Sequence, residues 1–493
     1  MNPLDVSMIH PELVLLVMAC VVTLVDLFVH DPQRRPTFWL TQATLAVVGW
    51  MHFSAFQSGG TVYGMNDLVV ADPMGHLLAA FAVLATLVSV AYAQPYLASR
   101  DMLKGEFFTL TLFATLGILV MCSANNFLIV YLGLELMSLS LYALTALRRD
   151  HGVATEAAMK YFVLGALASG FLLYGLSMMY GATGSLDLGE VFQAIASGQI
   201  NKPVLLLGLV FVVAGLGFKL GVVPFHMWVP DVYQGAPTAV TLLIGAAPKL
   251  AAFAITIRLL VEGMLELAFD WQQMLLVLAM CSLAVGNLAA IAQSNLKRML
   301  AYSTISQMGF MLLGLGVGVI DGKSGGAGNA YSSAMFYLVT YVLTTLGTFG
   351  LILFLSRRGF ESEEVTDLAG LARRAPWLAG VMTLFMFSLA GVPPLVGFYA
   401  KLAILQAMIA TNHVGYIWLA VAAVMLSLVA AYYYLRVVKV MYFDAPTSEA
   451  PIMRSNGVSA LLALNGIAVL ALGMLPGALM DMCRDAIVKT LAS

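Results

Sequence analysis

Four charged residues stand inside long apolar runs, where charges are rare: Glu135, Lys219, Lys249 and Lys401. A charge near the centre of a bilayer costs from about 3 to over 10 kcal/mol, so a residue kept there at that cost points to ion or proton handling. Glu135 is isolated, with no other charge between Glu106 and Arg148. Only five of the 24 Lys and Arg residues fall within apolar windows, namely Lys160, Lys219, Lys249, Arg258 and Lys401. A lysine taken out of water holds its proton less tightly, and a carboxylate brought beside it restores the affinity. Glu135 facing Lys219 or Lys249 across helices would therefore make a two-residue switch that loads and unloads a proton. The alternatives are a helix-to-helix hydrogen bond for Glu135 and snorkelling to an interface for the lysines. Lys249 follows Pro248 among small residues, Gly245-Ala-Ala-Pro-Lys-Leu-Ala251, which let helices and water approach. Lys160 lies near the start of its run, and Arg258, at the end of another, reads as an interfacial anchor.

Other chemistries find no residues. Cys20, Cys122, Cys281 and Cys483 are far apart, with no CxxC pair for an iron–sulfur cluster or zinc. His226 and His413 are single histidines without a second ligand at metal spacing. No glycine-rich nucleotide loop follows a strand pattern, so the chain is read as holding no redox cofactor and no metal of its own. A net charge of −2 without a basic stripe argues against nucleic acid. The run Tyr302-Ser-Thr-Ile-Ser-Gln307, with Tyr341, Thr344, Thr345 and Thr348, places hydroxyls in apolar surroundings, either as a water wire or as helix glue.

The elements that position these residues follow from composition. With 61% hydrophobic and 10% charged residues over 493 positions, and a mean hydropathy of +0.92, the chain is an all-α polytopic membrane protein. Apolar windows give about fourteen spans, centred near Val17, Val47, Val83, Phe113, Ser138, Ser169, Val213, Ala247, Met280, Leu312, Thr344, Leu389, Met425 and Val469. The first, from Leu13, lacks a basic leader and is expected to stay as a signal anchor. Two spans should be interrupted: the seventh by Pro224 and Pro230, and the twelfth by Gly391, Pro393, Pro394 and Gly397. Broken helices at matching places in two halves mark a transport site. Each is the fourth of a five-span block, and an odd block length inverts the second block against the first. The expected divisions are 1–100, three N-terminal helices; 101–262 and 263–445, the two inverted five-helix repeats; and 446–493, a C-terminal helix.

Loops after odd spans carry fifteen Lys or Arg, Arg454 among them, and loops after even spans only Lys202 and Lys323. Cytoplasmic loops carry the excess, so the odd loops are expected in the cytoplasm and both termini on the opposite side of the membrane.

The run Leu216-Gly-Phe-Lys-Leu-Gly-Val-Val-Pro-Phe-His-Met-Trp-Val-Pro-Asp-Val-Tyr-Gln-Gly-Ala-Pro-Thr238 resembles the signature of the antiporter-like membrane subunits of respiratory complex I. Lys297-Arg-Met-Leu-Ala-Tyr-Ser-Thr-Ile-Ser-Gln-Met-Gly309 resembles the second-half motif of the same family. Length, a chain end soon after the fourteenth span and a lysine at 401 narrow the subfamily. The resemblance implies a proton-translocating subunit of an NADH:quinone oxidoreductase, with NADH, FMN, iron–sulfur clusters and quinone on partner subunits. It implies other membrane subunits of that complex, an antiporter-like one and small ones, as neighbours in the bilayer. It assigns Glu135 as modulator of Lys219, Lys249 as central relay, Lys401 as the link to the outer side, and Lys160 as a further sixth-span lysine. Many relatives carry histidine where this chain has Gln307, which cannot titrate, so a proton must pass that point by water or other polar groups. An Mrp-type cation/proton antiporter is the nearest alternative, and a membrane scaffold whose lysines pair with lipid or partner helices is another.

Overall fold

A computed structural model describes residues 7–198, 200–320, 322–446 and 455–492; Arg454 lies outside them. Apolar windows become helices because a segment in lipid must satisfy its backbone N–H and C=O groups internally. In chain order these are α1 (His10–Asp26) and α2 (Arg35–Ser58), a hairpin of β1 (Val62–Gly64) and β2 (Val69–Ala71), then α3 (Pro73–Ala98), α4 (Gly105–Ser123), α5 (Phe127–Thr145), α6 (Gly152–Thr183) and α7 (Leu188–Ala196). Next come α8 (Lys202–Leu220), α9 (Trp228–Gly235), α10 (Thr238–Gly245), α11 (Ala247–Thr256), α12 (Ala268–Ile291), α13 (Leu296–Leu315) and α14 (Ala327–Leu355). The chain closes with α15 (Leu371–Arg374), α16 (Pro376–Ala390), α17 (Val396–Ala410), α18 (Val414–Phe443), α19 (Asn456–Met474) and α20 (Gly477–Leu491). Every centre read from the sequence falls inside one of these helices. Among the described residues, ten helical segments are long and apolar enough to cross a membrane, and α16 and α17 are shorter apolar pieces. The hairpin, with Tyr63 paired to Val70, was not foreseen; its strands are too short to leave a hydropathy signal.

The segment 238–262 and α14 form the middle of the molecule, with 100% and 89% of their most apolar windows buried, whereas α18 has 17% buried and lies outside. Small residues bring helices close: a Cβ on Gly117 of α4 would stand 2.6 Å from the Gly133 carbonyl of α5.

The connections sort onto two faces. After even spans, the hairpin joins the α4–α5 turn through Asn125 N–H to Leu68 O, and that turn joins the α6–α7 turn through Phe127 N–H to Leu186 O. Thr490 of α20 donates to Asp72 at the start of α3. After odd spans, Arg100 and Tyr96 bind Glu361, Asn295 binds Glu364, and Arg298 binds Asp231. These contacts thus join the first set of connections to one another and the second set to one another.

Both expected interruptions occur, and they end alike. α8 stops at Gly221 (φ 78°), whose N–H bonds Gly217 O while Val222 N–H also reaches back to Gly217 O at 2.9 Å. α16 stops at Gly391 (φ 88°), with Gly391 and Val392 N–H both bonding Phe387 O. Only glycine takes these angles readily, and the reversed bonds are those of a Schellman end. A third interruption was not expected: the eighth span divides at Ala246 (φ −110°, ψ −92°) and continues beyond Thr256 as a π-helical turn, Ile257–Glu262.

Candidate functional site

A helix that ends inside the molecule leaves carbonyls without partners and a partial negative charge. The buried lysines meet that condition. Lys249, at the start of α11 and 1% exposed, donates to Leu220 O at 2.8 Å and Lys219 O at 3.3 Å, the last carbonyls of α8. Its ammonium also lies 5.4 Å from the ring centre of Trp228, a cation–π distance. Lys401 of α17 donates to Leu389 O at 3.1 Å and Ala390 O at 3.0 Å, the last carbonyls of α16. Counted from the helix-ending glycine, the accepting residues are the same two positions in each case. The cation comes from the next span in the first case and from the second half of the same span in the second.

Lys219 sits at the end of α8 and donates to Ser138 Oγ of α5 at 2.9 Å and Ser169 Oγ of α6 at 3.3 Å. Glu135 lies three residues before Ser138, so both side chains share one helix face. One buried carboxylate oxygen of Glu135, Oε1, has no hydrogen-bond partner among the described residues. Lys219 therefore meets the serine rather than the carboxylate. Glu135, Lys219 and Lys249 form one neighbourhood, while Lys401 forms a second.

Lys160 does not join them. It is exposed on α6 and paired at 2.8 Å with Glu156 and with Asp231, which also holds Arg298 at 2.7 Å.

Around Lys401 the hydroxyls expected from the sequence converge. Gln307 donates to Leu389 O, the carbonyl that Lys401 also uses, at 3.0 Å and to the Tyr434 hydroxyl at 3.0 Å, and it accepts from Tyr337. Tyr434 contacts Ser303 at 2.5 Å, and Tyr341 donates to Thr304 at 2.7 Å. A cavity of about 10 Å³ lies between Gln307, Tyr341, Thr344, Ser388 and Lys401, the size of one water site.

Sequence reasoning misplaced two cations. Arg258 is not an interfacial anchor: it is 1% exposed, pairs with Asp72 at 2.5 Å and Glu262 at 2.9 Å, and donates to Cys122 O at 2.9 Å. A buried ion pair of this kind needs partners from distant segments, which no local pattern reveals. Lys297, counted as a loop residue, is 3% exposed and donates to Ala236 O, just past the end of α9, at 3.0 Å. Its place two residues after the α13 cap Asn295 was the available signal. Among the described residues no three His, Cys, Asp or Glu side chains gather as a metal cluster.

The transmembrane-family model described as NADH:quinone oxidoreductase/Mrp antiporter matches residues 124–430, from the start of α5 through the greater part of α18. The chain belongs to that family. It is 61% identical to NADH-quinone oxidoreductase subunit N of Herminiimonas arsenicoxydans, over 100% of both chains. It is 63% identical to subunit N of Polaromonas naphthalenivorans, over 97% of this chain and 96% of that one. A chain in the structure of respiratory complex I from Thermus thermophilus with bound aureothin is 33% identical, with a TM-score of 0.81 over 97% of this chain and 100% of that one. Within the family the chain is of the subunit N type, a proton-translocating membrane-arm subunit of an NADH-quinone oxidoreductase. A chain of the Mrp complex from Dietzia shares the fold (TM-score 0.85 over 100% of this chain and 99% of that one) at 20% identity. The antiporter alternative thus keeps its likeness of fold, while full-length identity lies with subunit N.

Proposed function

We propose that Glu135, Lys219, Lys249 and Lys401 carry the proton-transfer chemistry of this subunit. The observation that carries the reading is the shared geometry of Lys249 and Lys401, each an ammonium seated on the last two carbonyls of an interrupted helix. Two opposing effects meet there: burial works against the charge, and the carbonyl dipoles work for it. A group so balanced changes protonation when a nearby charge or dipole moves by a small distance.

Redox chemistry on partner subunits would shift the position or charge of Glu135. The unpartnered Glu135 Oε1, one helical turn from Ser138, supports this carboxylate as the moving part. Displacing it alters the proton affinity of Lys219 through Ser138. The proton then passes to Lys249, whose ammonium touches the Lys219 carbonyl, and on to Lys401 and the outer side. Lys160, exposed and fully paired, lies off this line at the face of the odd loops. The matching ends at Gly221 and Gly391 support a division into two repeats, 101–262 and 263–445, between the N-terminal helices 1–100 and the last helix after 446. The charge bias of the two loop faces supports both termini outside in a bacterial inner membrane. Neighbouring antiporter-like and small membrane subunits complete the setting, with flavin, clusters and quinone held elsewhere in the complex.

The test is to assemble the oxidoreductase with Glu135→Gln and, separately, with Lys219→Ala. Both variants are expected to assemble and to lower NADH-driven proton uptake into inverted vesicles roughly tenfold or more. Normal assembly with normal pumping in both sinks the reading.

A further inference from the structure

The hydroxyl of Tyr233 lies beside Gly245, one turn before Lys249. The residue is fully buried, and its Oη has no hydrogen-bond partner among the described residues. A buried hydroxyl left without a partner is costly, so one kept in a packed interior calls for a use. The ring is fixed: it packs edge-on against Phe349 at 6.1 Å and against Trp228 at 6.5 Å, and Trp228 is the ring beneath the Lys249 ammonium. The hydroxyl points at the interruption of the eighth span. A Cβ built on Gly245, the last residue before the break at Ala246, would stand 3.3 Å from Tyr233 Oη and 3.4 Å from Thr345 Cγ2. Glycine there keeps the space open, and Lys249 follows one turn later. Thr345, at the same break, lies one turn along α14 from Tyr341, which donates to Thr304 at 2.7 Å and lines the water-sized cavity shared with Lys401.

We propose that the Tyr233 hydroxyl is the relay that joins the Lys249 centre to the Lys401 centre. The proposal rests on the route given above. A proton released from Lys249, carried by water at the Gly245–Ala246 break, binds Tyr233 Oη as the phenol's own proton passes to the Thr304–Tyr341 pair. One O–H bond forms as another breaks, the phenol remains neutral, and rotation of the hydroxyl resets the step. From Tyr341 the proton reaches the cavity beside Lys401.

Tyr233→Phe removes the oxygen and keeps the ring contacts. The assembled complex carrying it is expected to oxidise NADH normally with an artificial acceptor, to lose about tenfold in quinone-linked proton uptake, and to show a larger slowing in heavy water than the unaltered complex. Tyr331→Phe removes another buried hydroxyl, against Gly318, that has no partner among the described residues, and should leave pumping unchanged. Lys249→Ala, prepared in parallel, separates failure of the relay from failure of the route. If Lys249→Ala abolishes pumping and Tyr233→Phe pumps normally, the relay is wrong and the route stands; if both pump normally, both are wrong. Should Tyr233→Phe fail to assemble, Gly245→Ala decides. Alanine is favoured over glycine within a helix, and here its methyl would close the space at Oη. Slowed pumping in that variant supports the relay, and normal pumping overturns it.

Discussion

At the scale of single residues, the reach of each lysine ammonium sets two different consequences of removal. Lys249→Ala takes the lysine donor from both Lys219 O and Leu220 O, and buried acceptors left unpaired cost about 1–3 kcal/mol. Lys401→Ala leaves Leu389 O with the Gln307 amide. The Lys249 variant is therefore expected to lower the thermal transition of the purified complex more than the Lys401 variant, as read by a melting series. Equal transitions would deny that these ammonium groups hold the helix ends. The four charges of the candidate site stood out in the sequence because their cost in an apolar run makes them conspicuous on their own. Arg258 was equally conspicuous and was misread, since its partner Asp72 lies 186 positions away. Gln307 was legible as a group that cannot titrate, but not as the amide that shares a carbonyl with Lys401.

At the scale of elements, the interruptions place the site, and the seventh and twelfth were readable from Pro224, Pro393 and Pro394 with their glycines. The eighth was not. Gly245-Ala-Ala-Pro248 reads equally well as close helix packing, because proline is well tolerated in the first turn of a helix and Pro248 occupies such a position in α11. The hairpin at 62–71 escaped because two three-residue strands carry no periodic signal. Gly391→Ala tests the role of the breaks. Its φ of 88° is strained for alanine by about 1–2 kcal/mol, and the added Cβ would lie 3.0 Å from Lys401 Cδ. Proton uptake should fall several-fold in this variant, while Gly380→Ala in the same helix, where a Cβ meets nothing within 4 Å, should pump normally. Equal rates in the two variants would show that the end of α16 does not position Lys401.

At the scale of the whole molecule, the loops form two contact layers and the buried Arg258 ties the even one together. Arg258 holds Asp72 at the start of α3, Cys122 O at the end of α4 and Glu262 in the π-helical turn, while Thr490 of α20 closes on the same Asp72. Arg258→Ala leaves a buried carboxylate unpaired and is expected to destabilise the subunit by about 3–5 kcal/mol, visible as a lowered yield of assembled complex. In a cysteine-free background, Lys323→Cys should react with an impermeant thiol reagent added outside the cell, and Arg358→Cys only after the membrane is opened; the reverse pattern would invert the proposed orientation. The central claim is that Lys249 and Lys401 act in series. The most direct measurement is proton uptake per NADH-driven turnover in vesicles carrying Lys249→Ala, Lys401→Ala and both together. Groups that act as one unit lose function non-additively. The double variant is expected to pump no worse than the poorer single variant, each roughly tenfold below the unaltered complex. Normal pumping in either single variant, or losses that multiply in the double, would contradict a single line through the two lysines.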